Sequence, residues 1–106
     1  MIETGYDINS INITGNVVKA PDFSKPDVMF FQVATSRLKY RDEGKANYTT
    51  DLHSIVCKGS VLEKLKGEKL EKGMRVSIQG VLAYWWRDQN VKYPSAEILA
   101  ETVKIL

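Results

Sequence analysis

The feature that most restricts how this chain can fold is a strand pattern broken by a glycine and ending in two adjacent tryptophans, residues 74–94, MRVSIQGVLAYWWRDQNVKYP. Val76 and Ile78 alternate with Arg75, Ser77 and Gln79, the period of two that marks a half-buried strand. Gly80 interrupts it. A glycine inside a strand signals a bulge or a close backbone approach, and either bends a sheet towards closure. Beyond it, Leu82, Tyr84 and Trp86 share one face and Val81, Ala83 and Trp85 the other. The two tryptophans therefore point to opposite sides. One can enter a core; the other is left exposed near Arg87, Lys92 and Tyr93, and by alternation it is either Trp85 or Trp86.

The same device recurs near the start. In residues 8–18, Ile11, Ile13 and Val17 alternate with Asn12, Thr14 and Asn16 around Gly15, which predicts a first strand. Residues 20–27, APDFSKPD, hold two prolines among polar residues and read as a loop. A second strand follows over residues 28–40, where Phe31, Val33 and Thr35 alternate with Phe30, Gln32 and Ala34. Residues 37–48 read as a hairpin connection with a flexible tip, in which Arg37, Lys39, Arg41 and Lys45 are interleaved with Tyr40 and Tyr48. A third strand over residues 49–58 sets His53, Ile55 and Cys57 on one face and Leu52, Ser54, Val56 and Lys58 on the other. Ser60 and Glu63 have the spacing of a capping box, predicting a helix through residues 60–72 with Val61, Leu62, Leu65 and Leu70 on its apolar side. A fifth strand is expected from Ser95 to the end.

Size and composition narrow the function classes. The 106 residues suffice for one modest core, so a single domain over residues 1–106 is expected, with residues 1–6 loose. No apolar run is long enough for a membrane span or signal peptide, and the chain reads as soluble and cytoplasmic. One cysteine excludes an internal disulfide, and with a single histidine the ligands for structural zinc are missing. No metal or other cofactor is expected. The net charge of +2 is too small to indicate a partner, so only the placement of the charges is informative.

An enzyme reading would rest on His53 and Cys57. Four residues apart on a strand, they lie about 13 Å from each other, far beyond hydrogen-bond reach, on a face shared with Ile55. A packed cysteine and a satisfied histidine fit better. The acids Glu63, Glu68 and Glu71 read as the solvated face of the helix, and no glycine-rich phosphate loop is present. No catalytic residue and no small-molecule substrate is assigned.

Five strands with one helix between the third and fourth is the layout of an all-β, five-stranded Greek-key OB-fold barrel, whose middle strands and loops take oligonucleotides or oligosaccharides. On that frame a groove across strands two to four would be lined by Arg37, Lys39, Arg41, Lys58, Arg87 and Lys92, with Tyr40, Tyr48, Tyr84, Trp85, Trp86 and Tyr93 as aromatic contacts. Cations supply sequence-independent affinity for phosphates, and rings stack on bases that only an unpaired strand exposes. The rival reading makes the same rings hot spots of a protein-interaction or oligomerisation module. Cations on both hairpins flanking one groove favour nucleic acid, single-stranded DNA or RNA.

The residues also carry a resemblance. INITGNVVKAPDF is similar to the opening strand of the bacterial single-stranded-DNA-binding protein family, and FQVATSR, DLHSIVCKGSVLEKL, LEKGMRVSIQGVL, WRDQ and AEILAE follow in that family's order at close to its spacing. The resemblance implies a homo-oligomer, tetramer or dimer, that covers single-stranded DNA in replication, recombination and repair. It implies that Trp86 is the stacking tryptophan at the base of the last hairpin and that His53 lies beside a subunit contact. Three departures stand out: Leu52 and Lys58 occupy positions where the family usually carries rings, and Tyr40 or a neighbour takes a further tryptophan slot. Binding weaker and more charge-dependent than is typical is therefore expected. The sequence ends at Leu106 with the last strand, without the family's acidic tail. If that end is the natural terminus, a compact plasmid, phage or mobile-element version, or a primosomal accessory protein of the same fold, is expected; the alternative is a piece of a longer chain.

Overall fold

The computed structural model describes residues 7–85 and 95–106. In chain order these form β1 (Ile11–Lys25), β2 (Val28–Asp42), β3 (Lys45–Cys57), α1 (Gly59–Gly67), β4 (Arg75–Trp85) and β5 (Ser95–Ile105). The strands close into a barrel in the order β1-β2-β3-β5-β4. Closure depends on β1 serving two neighbours. Ile11 to Asn16 pair with β4, and Asn16 onwards pairs with β2. The strand can pass from one to the other because Gly15 lets it lie against β2, where an added Cβ would run into the carbonyl oxygen of Ala34. Gly80 has the same role opposite β5: a Cβ there would meet the carbonyl oxygen of Leu99. The ladder also shifts register between Gln79 and Gly80, leaving Glu101 of β5 as the extra residue.

The core is one cluster that includes Val17, Met29, Phe31, Val33, Ile55, Val76, Ile78, Ile98 and Val103. Val17, Phe31, Val33, Ile55, Val76 and Ile78 are on faces that the sequence alternation marks out, whereas Met29, Ile98 and Val103 are added by the structure. The helix adds Leu62 and Leu65, and the turn after it adds Leu70. Each such burial contributes about 1.5–3 kcal/mol. The turn is tied to β1 by Gly73 N–H donating to the Val17 carbonyl (2.7 Å) and Val17 N–H donating to that of Met74 (2.8 Å), which feeds the chain into β4.

Three expectations about element ends are corrected. First, β1 runs on to Lys25 through the segment read as a loop. Its ladder with β2 slips between Val17 and Lys19, Lys19 and Asp22, and Asp22 and Lys25. In this half the strand is paired on one side only, so Pro21 can forgo a donor at a bulged edge. Second, the β2–β3 ladder continues to Asp42 and Lys45, closed by Glu43 and Gly44 with φ of 49° and 79°. Positive φ at both central residues is the primed turn that matches strand twist. This arm is solvated on both faces, so its sequence has no apolar alternation to read. Third, α1 stops at Gly67 rather than running to residue 72. Its N-cap is Lys58, with no side-chain cap bond. Ser60 is already inside the first turn and cannot cap it.

A fourth correction concerns the site. β5, not β4, lies beside β3, joined through the parallel pairs Ile55–Ile98 and Val56–Leu99. A groove running directly from strand three to strand four does not exist.

Candidate nucleic-acid interface

Residues directly opposite across a ladder share a face. Because Met29, Phe31 and Val33 enter the core, their neighbours Phe30, Gln32, Ala34, Ser36 and Leu38 face outwards, opposite Val56, Ser54, Leu52, Thr50 and Tyr48 respectively. At about 3.4 Å per residue this outer band is about 27 Å long from Phe30 to Leu38. Leu52 is 61% exposed and Tyr48 66%. Large apolar side chains are thus presented to solvent from the barrel wall to the hairpin.

The bulge between Leu38 and Tyr40 sorts the residues beyond it. Lys39 is the unopposed residue; Arg41, opposite Ala46, returns to the side of Tyr48; Tyr40, opposite Asn47, lies on the other side. Among the described residues neither Lys39 nor Arg41 has an ion-pair partner. Lys58 is exposed just past Val56 at the opposite end of the band. Cations therefore stand at both ends, with Leu38, Tyr48 and Leu52 exposed between them beside the polar rows Gln32–Ser54 and Ser36–Thr50.

Other predicted residues are placed elsewhere. Arg37 sits on the core-side face of the arm, where its Nε donates to Asp51 Oδ2 at 2.6 Å and its Nη2 to Oδ1 at 3.5 Å. Such exposed pairs contribute about 0.2–1 kcal/mol, and the pairing removes net charge from that face. His53 is on the same face, its Nε2 2.8 Å from the hydroxyl of Thr35. Tyr84 pairs with Ala96 and follows Leu82, which is opposite the core residue Ile98, so it belongs to the barrel's rim rather than to the outer band. Trp85 ends β4 opposite Ser95. Trp86, Arg87, Lys92 and Tyr93 lie outside the described residues.

The sequence-derived site residues do not include Leu52, at the centre of the band, or Leu38, at its hairpin end. Strand alternation carries the signal, since both fall on the face away from the core residues Phe31, Val33 and Ile55, but an aliphatic side chain does not by itself mark a contact for bases.

Cys57 is fully buried. Burial pushes its thiol up to about 12, so it stays protonated near neutral pH and is no nucleophile. Among the described residues no group of three histidines, cysteines or acids could hold a metal, and no helix is long and apolar enough to cross a membrane.

A closed five-stranded barrel of this order, with a helix between β3 and β4, is an OB-fold, and its exposed band lies where that fold takes oligonucleotides or oligosaccharides. Sequence comparison is more specific. The chain belongs to the Single-strand binding protein family, whose sequence model matches residues 8–106.

A curated relative, the single-stranded DNA-binding protein of Xanthomonas campestris pv. campestris, is 29% identical over 105 residues, covering 93% of this chain. The chain spans 60% of that relative's length. Among solved structures, the complex of the Plasmodium falciparum protein with single-stranded DNA superposes with a TM-score of 0.79 at 27% identity, covering 100% of this chain and 99% of the other. The small single-stranded DNA-binding protein of Streptomyces coelicolor gives a TM-score of 0.66 at 23% identity, covering 91% and 90%, and supports the fold alone.

Proposed function

We propose that this chain binds single-stranded DNA with little base preference, along the outer band of β2 and β3. The observation that carries the reading is the pairing of Leu38 with Tyr48 and of Ala34 with Leu52 on one exposed face, with Lys39 and Arg41 at one end and Lys58 at the other. Apolar and aromatic surface accepts base faces that duplex DNA hides, while the cations release counterions from phosphates. Trp85 or Trp86, with Arg87, Lys92 and Tyr93, would extend the contact from the second hairpin. Protection of unpaired strands in the cytoplasm during replication, recombination or repair follows from that activity. A homo-oligomer with His53 near the subunit contact is part of the same proposal, drawn from the family resemblance.

The test is tryptophan fluorescence during titration with a long oligo-thymidine at two salt concentrations, with duplex of matched length as control. Quenching by the single strand alone, with log affinity falling by about 0.7 per phosphate neutralised for each decade of salt, is the expected result. No binding even at low salt would move the aromatic cluster to a protein interface.

A further inference from the structure

The end of the outer band away from the hairpin tip is a pocket. Lys19, Gln32 and Ser54 form one row across β1, β2 and β3, and Asp22, Phe30 and Val56 form the next. Between the bulged half of β1 and the band lies a cavity of about 250 Å³, lined among others by Lys19, Lys25, Phe30, Gln32 and Ser54. This is below the roughly 300–1,000 Å³ of pockets that hold drug-sized ligands, and suits one planar ring. Lys25 Nζ stands 5.9 Å from the centre of the Phe30 ring, at the outer limit of a cation–π contact.

We infer that this pocket is a nucleotide subsite that takes one base of a single strand against Phe30, with Lys19 and Lys25 holding the flanking phosphates. The inference rests on the binding mode proposed above and carries the strand's path off the hairpin, over Leu52 and onto β1. Three features fit the two halves of a nucleotide separately. Phe30 is half-buried and offers a ring at the cavity wall, Gln32 and Ser54 present both donors and acceptors to a base edge, and the two lysines are exposed. Asp22 also lines the cavity. The bulges of β1 have a purpose in this arrangement. They turn its edge so that Lys19 and Lys25 come to one cavity despite their separation in sequence.

The test compares the wild-type chain with Phe30→Leu, Lys19→Gln and Lys25→Gln by fluorescence anisotropy, using end-labelled oligo-thymidines of increasing length and free thymidine monophosphate as competitor. Phe30→Leu keeps apolar bulk and loses the ring, and thermal melting checks that each variant folds as wild type does. Expected is a loss of about tenfold for Phe30→Leu on the long oligonucleotides and little loss on the shortest that bind. Each lysine variant should lower the salt slope by about 0.7. Wild-type affinity in all three variants, with strand binding intact, removes the pocket from the path and leaves the outer band standing. Displacement of the strand by the free monophosphate would make this a mononucleotide site instead. A wild-type chain that binds no single strand overturns both readings.

Discussion

Arg37 and Asp51 lie diagonally across the β2–β3 ladder and join in an ion pair of 2.6 Å, on the face opposite to Leu38 and Leu52. Four basic residues of this hairpin looked equivalent in the sequence. The pair separates Arg37 from Lys39 and Arg41.

Arg41→Ala should reduce the salt dependence of single-strand binding by about 0.7 in slope, the loss of one phosphate contact, whereas Arg37→Ala leaves the slope nearly unchanged. Titrations at three or more salt concentrations check this. Equal slopes for the two variants would mean that the pair opens on binding.

Leu52 occupies an exposed, central position of the band where the resembling family usually carries a ring. Leu52→Trp should tighten binding to oligo-thymidine by about 1.4 kcal/mol, a factor of ten, since a ring can stack where a leucine only packs. The new tryptophan should also be quenched on binding. Unchanged affinity would place the strand away from β3.

Gly80→Ala sets a Cβ against the carbonyl oxygen of Leu99, a backbone atom that cannot move without parting β4 from β5. A destabilisation of about 1–3 kcal/mol is expected, read as a drop in thermal midpoint. Gly67→Ala, where an added Cβ meets nothing within 4 Å, is the matched control.

Cys57 gives stability a pH dependence. Its folded value is raised from about 9 to about 12, so the native state keeps its proton where the unfolded chain loses it. The contribution is complete below pH 9 and declines as pH rises from 9 towards 12, by at most about 1.4 kcal/mol per unit. Denaturant melts of the wild type and Cys57→Ala over that range should show a shallower decline in the variant. A thiol reagent at pH 8 should label Cys57 only when the chain is unfolded.

Most of the architecture was legible because it rests on local periodicity. Ile11, Ile13 and Val17, Phe31 and Val33, Ile55, and Val76 and Ile78 alternate with polar residues, and all of them entered or packed against the core. Gly15 and Gly80 stood out because a bare backbone inside a strand has few other uses. The element ends were not legible where that periodicity fails: on the solvated hairpin arm, along the one-sided half of β1, and at Gly67, where the helix stops although Leu70 continues to be buried.

What the sequence by itself determined is the number and order of strands, the inward set of side chains and the kind of chemistry on offer, since these follow from residue type and a period of two. What only the tertiary structure decided is which of those residues meet. Register, set by bulges at Lys39 and Glu101 and along β1, placed Arg41 and Tyr48 on one side and Arg37 and Tyr40 on the other, seated β5 between β3 and β4, and brought Lys19 and Lys25 to Phe30. A slip of one residue turns every later side chain to the opposite face, and whether a strand slips is settled by what it packs against, not by its own letters.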